Sequence, residues 1–181
     1  MSATMTTSTP SLTAAPGFTR ALTAVRGAEL GLLRAVALDL VAIGEGDALG
    51  VLGPQAIEVL RAATGPLSVD LQAHATPDSG ATTFLGRGTH GIAVSAHLSL
   101  VAGARRDYLR AAIRLVGTHG SALVDLLRPR LDVRTAAGIT QAPYAVPGTT
   151  NSGATSSDGA TEVLSAIAGS ARSGQTVSIT W

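Results

Sequence analysis

The chain contains no cysteine. That removes thiol nucleophiles, disulfides and Cys-ligated zinc from consideration. Lysine is missing too, so all thirteen basic residues are arginine. Schiff-base chemistry, a phosphate-loop lysine and a lysine general base are thereby excluded. Twelve acids leave a formal net charge of only +1, and neither a nucleic-acid nor a membrane-surface partner is expected. Long apolar runs are absent, none reaching the roughly 18 residues that span a bilayer. The opening stretch MSATMTTSTPSLTAAPG lacks the basic segment and apolar core of a secretory signal. A cytoplasmic protein is the expectation. No G-x-G-x-x-G follows any strand-like run, which argues against a dinucleotide fold.

What is present suits one globular unit: 181 residues, 45% hydrophobic and 14% charged, enough for a single sizeable core. Residues 1–9 read as a flexible polar lead and 10–181 as one domain. Phe18, Leu22 and Val25 recur at helical spacing, and residues 32–43 (LLRAVALDLVAI) form a strand-like run. A helix is expected from Pro54 to a stop at Gly65, then a strand over 67–74. Residues 77–87 read as a helix ending at Gly88, and 91–100 as a strand. Residues 105–120 read as an amphipathic helix, with Leu109, Ile113 and Val116 on one face and Arg105, Arg106, Arg110 and Arg114 off it. A strand over 121–127, a low-complexity loop at 149–161, a helix over 161–172 and a strand over 175–181 complete the reading. Strands alternating with helices call for a parallel sheet with helical crossovers, closed or open.

Within LSVDLQAH, period two places Asp70, Gln72 and His74 on one face, and it places Ser95 and His97 together on the next strand. An acid in an apolar strand is costly to bury unless paired or bound. Asp39, Asp70, His74 and His97 make a candidate metal set, two imidazoles and two carboxylates, if those faces converge. The alternative is that both histidines lie just past strand ends in solvent. A Gly-rich loop can offer backbone N–H groups to a phosphate, and Gly148 and Gly153 are the candidates for that role.

The order of these segments resembles ribulose-phosphate 3-epimerase, a TIM-barrel sugar-phosphate isomerase. The resemblance is carried by Pro10-Ser11-Leu12, AVALDLV (35–41), LGPQAIEVLR (52–61), PLSVDLQA (66–73), the run from Pro77 to His97, VPG (146–148) and TEVLSAI (161–167). It implies a TIM-type (β/α) barrel, shortened because the chain stops where an eighth strand would follow. It also implies a protein of pentose-phosphate metabolism that epimerises or binds a sugar phosphate such as ribulose 5-phosphate, with a divalent metal (zinc, iron or manganese) if active. Asp39 matches the family's acid and would be the catalytic residue, pointing into the barrel mouth. Ala37, Asp70 and Ser95 replace other expected site residues, so the alternative is a catalytically inactive homologue serving as a binding or interaction scaffold. Open edges on strands one and seven imply a possible homo-oligomer.

Overall fold

In the computed structural model, residues 11–76, 80–103, 107–128, 130–143 and 158–181 are described. The expected 1–9 lead, Arg105, Arg106, Gly148 and Gly153 lie outside these residues. The structure is not a barrel. The described residues form an open nine-stranded sheet with three α-helices, in the strand order β8-β7-β6-β5-β1-β4-β3-β2-β9. Its strands are β1 (Leu33–Ile43), β2 (Ser68–Thr76), β3 (Ala81–Gly88), β4 (Ala93–Val101), β5 (Tyr108–Gly117), β6 (Gly120–Asp125), β7 (Arg130–Thr135), β8 (Gly138–Pro143) and β9 (Val177–Thr180). The helices are α1 (Pro16–Arg26), α2 (Ala48–Thr64) and α3 (Asp158–Ser173). A TIM barrel needs parallel neighbours throughout. Here β1–β4 is parallel and every other paired neighbour is antiparallel.

Two segments read as helices are strands, and this changes the architecture. Residues 81–88 form β3, hairpinned to β2 and β4. Residues 108–117 form β5 rather than an amphipathic helix. Ala111, Ile113 and Leu115 are buried while Arg110 and Arg114 are exposed, a period of two. Leu109, which the helical reading placed on the apolar face, is 51% exposed. Helix α2 begins earlier than expected, at Ala48 behind the cap Asp47, and carries Pro54 in its interior. It ends as expected at Gly65, whose φ of 71° suits glycine.

Among the described residues, the sheet is covered on one face only. The cross-strand row Leu131, Val124, Ile113, Leu38, Ala96, Phe84 and Ala73 is buried throughout and lies under the helices. Phe18 and Ala21 of α1, Ile57 and Leu60 of α2, and Ile167 of α3 complete that core. Helices on one face of a mostly antiparallel sheet define an α+β layer architecture. The other face of the sheet is open, and the polar residues of the strands stand on it. Strand β1 lies in the middle, so the open edges expected on strands one and seven are instead those of β8 and β9. No described helix is long and apolar enough to cross a membrane.

Candidate functional site

The open face gathers the residues singled out by the sequence, in a row rather than a cluster. Register pairs Asp39 with His97, His97 with Thr83, and Thr83 with His74 across β1, β4, β3 and β2. Neighbouring strands are about 4.8 Å apart, so three steps separate Asp39 from His74 by roughly 14 Å. One ion cannot bridge that distance with ligand bonds of about 2 Å. Among the described residues no group of three or more His, Asp and Glu could hold a metal. The expected metal set of Asp39, Asp70, His74 and His97 is therefore corrected. Both histidines lie within strands, not in loops past their ends.

Asp39 is in mid-strand, not at a barrel mouth. Its Oδ2 pairs with Arg110 Nε at 2.9 Å, while Oδ1 is buried without a hydrogen-bond partner. The His97 ring Nδ1 and Thr83 Oγ1 share a hydrogen bond of 3.0 Å. Asp70 faces solvent, accepts a hydrogen bond from Ser178 Oγ on β9, and stands opposite Arg87 on β3. It satisfies the sheet edge and is not buried.

The concave feature with converging polar groups lies elsewhere, at the C-terminal end of β1. In open α/β sheets, ligands bind outside the carboxyl ends of the parallel strands, and β1 is the strand paired in parallel here, with β4. Here Ala42 and Ile43 end β1, Val51, Leu52 and Gln55 project from α2, and Asp107 and Tyr108 open β5. Together they line a cleft of 120 Å³. The backbone N–H of Ile43 donates to the Asp107 carbonyl at 2.8 Å, fixing the β5 side of the cleft to the β1 end. The Tyr108 hydroxyl donates to Gln55 Oε1. That orientation leaves the Gln55 amide N–H groups as donors to an occupant. Burial, then the nearby Glu58 carboxylate, push the Tyr108 phenol up to about 12, so it remains protonated and a donor. Glu58 is held from the far side by Thr13 Oγ1 at 2.8 Å and Ser11 Oγ at 3.2 Å. The result is a small cleft with aliphatic walls, an amide, a neutral phenol and one exposed carboxylate.

Gln55 and Tyr108 are missed by sequence reasoning. Fifty-three positions separate them, and the helical reading of 105–120 puts Tyr108 on the wrong element. One signal is available: Gln55 interrupts the apolar positions Val51, Leu52, Ala56 and Val59 of α2, just after the strand-ending turn.

No family model matches the chain, and no curated protein matches it by sequence. Solved structures do. A putative oxidoreductase from Thermotoga maritima aligns at 18% identity with a TM-score of 0.73, over 93% of this chain and 62% of that one. Levoglucosan dehydrogenase in complex with NADH and levoglucosan aligns at 14% identity and a TM-score of 0.76, over 93% and 65%. The same enzyme also matches as its complex with NADH and L-sorbose. An NAD-binding oxidoreductase from Klebsiella pneumoniae aligns at 17% identity and 0.71, over 91% and 63%. At these identities the likeness is one of fold, and the chain spans under two thirds of each neighbour's length. It overturns the resemblance to ribulose-phosphate 3-epimerase: the fold is shared with proteins described as oxidoreductases or a dehydrogenase, and none of those three is described as an isomerase. The expected divalent metal is overturned alongside it, since two of those neighbours are described with NADH or NAD.

The described residues do not fit a nicotinamide dinucleotide. That cofactor needs a parallel β-turn-α unit whose helix N-terminus offers free N–H groups to the pyrophosphate. The nearest approach is Gly44-Glu45-Gly46 between β1 and α2. There the Asp47 carboxylate already accepts from the N–H groups of Leu49 and Gly50, at 3.3 and 2.9 Å. A second acid, Glu45, sits in the same turn. Two carboxylates at a helix N-terminus repel a pyrophosphate.

Proposed function

We propose that this chain forms the substrate-holding unit of an oxidoreductase, binding a small sugar-type ligand in the cleft of Gln55, Asp107 and Tyr108, while the nicotinamide dinucleotide is held by a separate unit. The cleft is the observation that carries this reading. Sugars present hydroxyl edges and aliphatic C–H faces. Asp107 and the Tyr108 phenol oxygen accept from hydroxyls, the Gln55 amide donates to them, and Ile43, Val51 and Leu52 pack the C–H face. The fold neighbours bound to levoglucosan and L-sorbose support this ligand class. Neither Gln55 nor Tyr108 is set up to move a proton near neutral pH, so these two residues orient the ligand rather than ionise it.

Saturation-transfer NMR with levoglucosan and with L-sorbose tests the reading. Transfer to the sugar is expected, with affinity reduced about tenfold by Gln55→Leu and by Tyr108→Phe, the loss of one good hydrogen bond. NADH alone is expected to show no transfer. Sugar binding indifferent to both substitutions would remove the cleft, and tight NADH binding would remove the division between units.

A further inference from the structure

On the open face, a second concavity of 410 Å³ lies over β5, β6 and β7. Its chemistry differs from that of the sugar-type cleft. Leu109, Leu123 and Leu127 line it, 51%, 41% and 38% exposed respectively. Exposed leucines scattered singly need no explanation, whereas these three share one concave surface. The backbone is shaped to make it. Register between β1 and β5 slips between Val41 and Ala42, so Leu109 is the extra residue of a β-bulge and turns outward beside Arg110. Bulges re-aim side chains in this way next to functional sites. On the other side, Asp125 Oδ1 accepts from the N–H groups of Leu127 and Arg128, at 2.9 and 3.1 Å, folding the β6–β7 turn up as a wall.

The charges sort themselves. Asp132 is paired with Arg130 at 3.4 Å, Arg110 is paired with Asp39, and Asp125 is engaged by its turn. The Arg128 guanidinium alone among these has no acceptor among the described residues and stands exposed in the lining. We infer that this concavity binds a small amphipathic anion, an aliphatic carboxylate of roughly eight to ten carbons, with its chain on the three leucines and its carboxylate on Arg128. The volume lies within the few-hundred-Å³ range of small-molecule sites. Guanidinium–carboxylate pairing supplies orientation and charge selectivity.

Isothermal titration with octanoate, octanol and acetate tests this. Octanoate is expected to bind, octanol at least about tenfold more weakly, and acetate not at all. Arg128→Gln should bring octanoate down to the octanol level, and Leu123→Asn should weaken both. Levoglucosan binding should be untouched by either substitution, which separates this site from the cleft at Gln55. Equal affinity for octanoate and octanol, or an Arg128→Gln protein that binds octanoate normally, would overturn the assignment. So would a native protein with no affinity for octanoate.

Discussion

Asp39 of β1 and Arg110 of β5 form an ion pair at 2.9 Å whose two members are unequally exposed, the Asp39 side chain at 29% and Arg110 at 66%. The pair is also asymmetric in what each partner leaves behind, because Asp39 Oδ1 is already buried and unbonded. Arg110→Ala strands a carboxylate with neither oxygen paired. Asp39→Ala removes the orphaned oxygen and leaves an arginine that water solvates freely. An unpaired buried group costs more than the pair contributes. Arg110→Ala should therefore destabilise by about 1 kcal/mol and Asp39→Ala by no more than ~0.5 kcal/mol. Urea denaturation of both variants checks the order, and the reverse order would show that Oδ1 is satisfied in solution.

Tyr108 gives a pH dependence with a fixed sign. Its phenol titrates at about 12 in the folded chain against 10.0 unfolded, through burial and then Glu58. The folded state thus favours the protonated form. The contribution to stability is complete below pH 10 and is lost as pH rises toward 12. The chain has two tyrosines, so Tyr144→Phe isolates the signal. Phenolate absorbance near 295 nm should then rise close to pH 12, and unfolding should bring the midpoint to about 10. Glu58→Gln should lower the folded midpoint by the smaller, electrostatic share.

Much of this fold is legible in the sequence, and the parts that are not have definite physical reasons. The strands β1, β2, β4, β6 and β9 and the helix α3 follow directly from apolar runs and stop signals. β5 does not, because Leu109, Ile113 and Val116 fit a helical stripe as well as Ala111, Ile113 and Leu115 fit a strand. The two small alanines at 111 and 112 weaken the alternation. Once β5 is read as a helix, the link to β6 vanishes. Only residues 118–119 separate those strands, a hairpin length that no parallel crossover could have. Two wrong periods, at β3 and at β5, thus turn an antiparallel sheet into an expected barrel. The polar face is legible by alternation, but the spacing of its residues across the sheet needs the strand order. The Gln55–Tyr108 contact depends on tertiary placement alone.

Two glycines make opposite predictions. At Gly117 a Cβ would lie 2.0 Å from the Leu30 carbonyl oxygen, which is backbone and cannot swing aside. Gly117→Ala must shift the link between α1 and β1 away from the end of β5, at about 2–3 kcal/mol. Gly169 lies inside α3, and a Cβ added there would meet nothing within 4 Å. Gly169→Ala should stabilise by about 0.5–1 kcal/mol through helix propensity. Thermal melts of the two variants should therefore move in opposite directions from the parent.

The separation of His74 from Asp39 yields the last prediction. His97 stands beside Asp39 in register, and its Nδ1 is engaged with Thr83, so this pair can offer an ion at most one imidazole nitrogen and one carboxylate. His74 stands two strands beyond His97, and Asp70 lies four positions back along β2, facing Ser178. Two ligands on a solvent-exposed sheet hold zinc weakly, since a stable site needs three or four within about 2 Å of the ion. Stoichiometric Zn²⁺ should leave the melting temperature unchanged, and EDTA should do the same to freshly purified protein. His97→Ala and His74→Ala should also be indistinguishable from the parent in that assay. A rise of several degrees with Zn²⁺, lost in both variants, would mean that the strands approach each other in a way this sheet geometry does not allow.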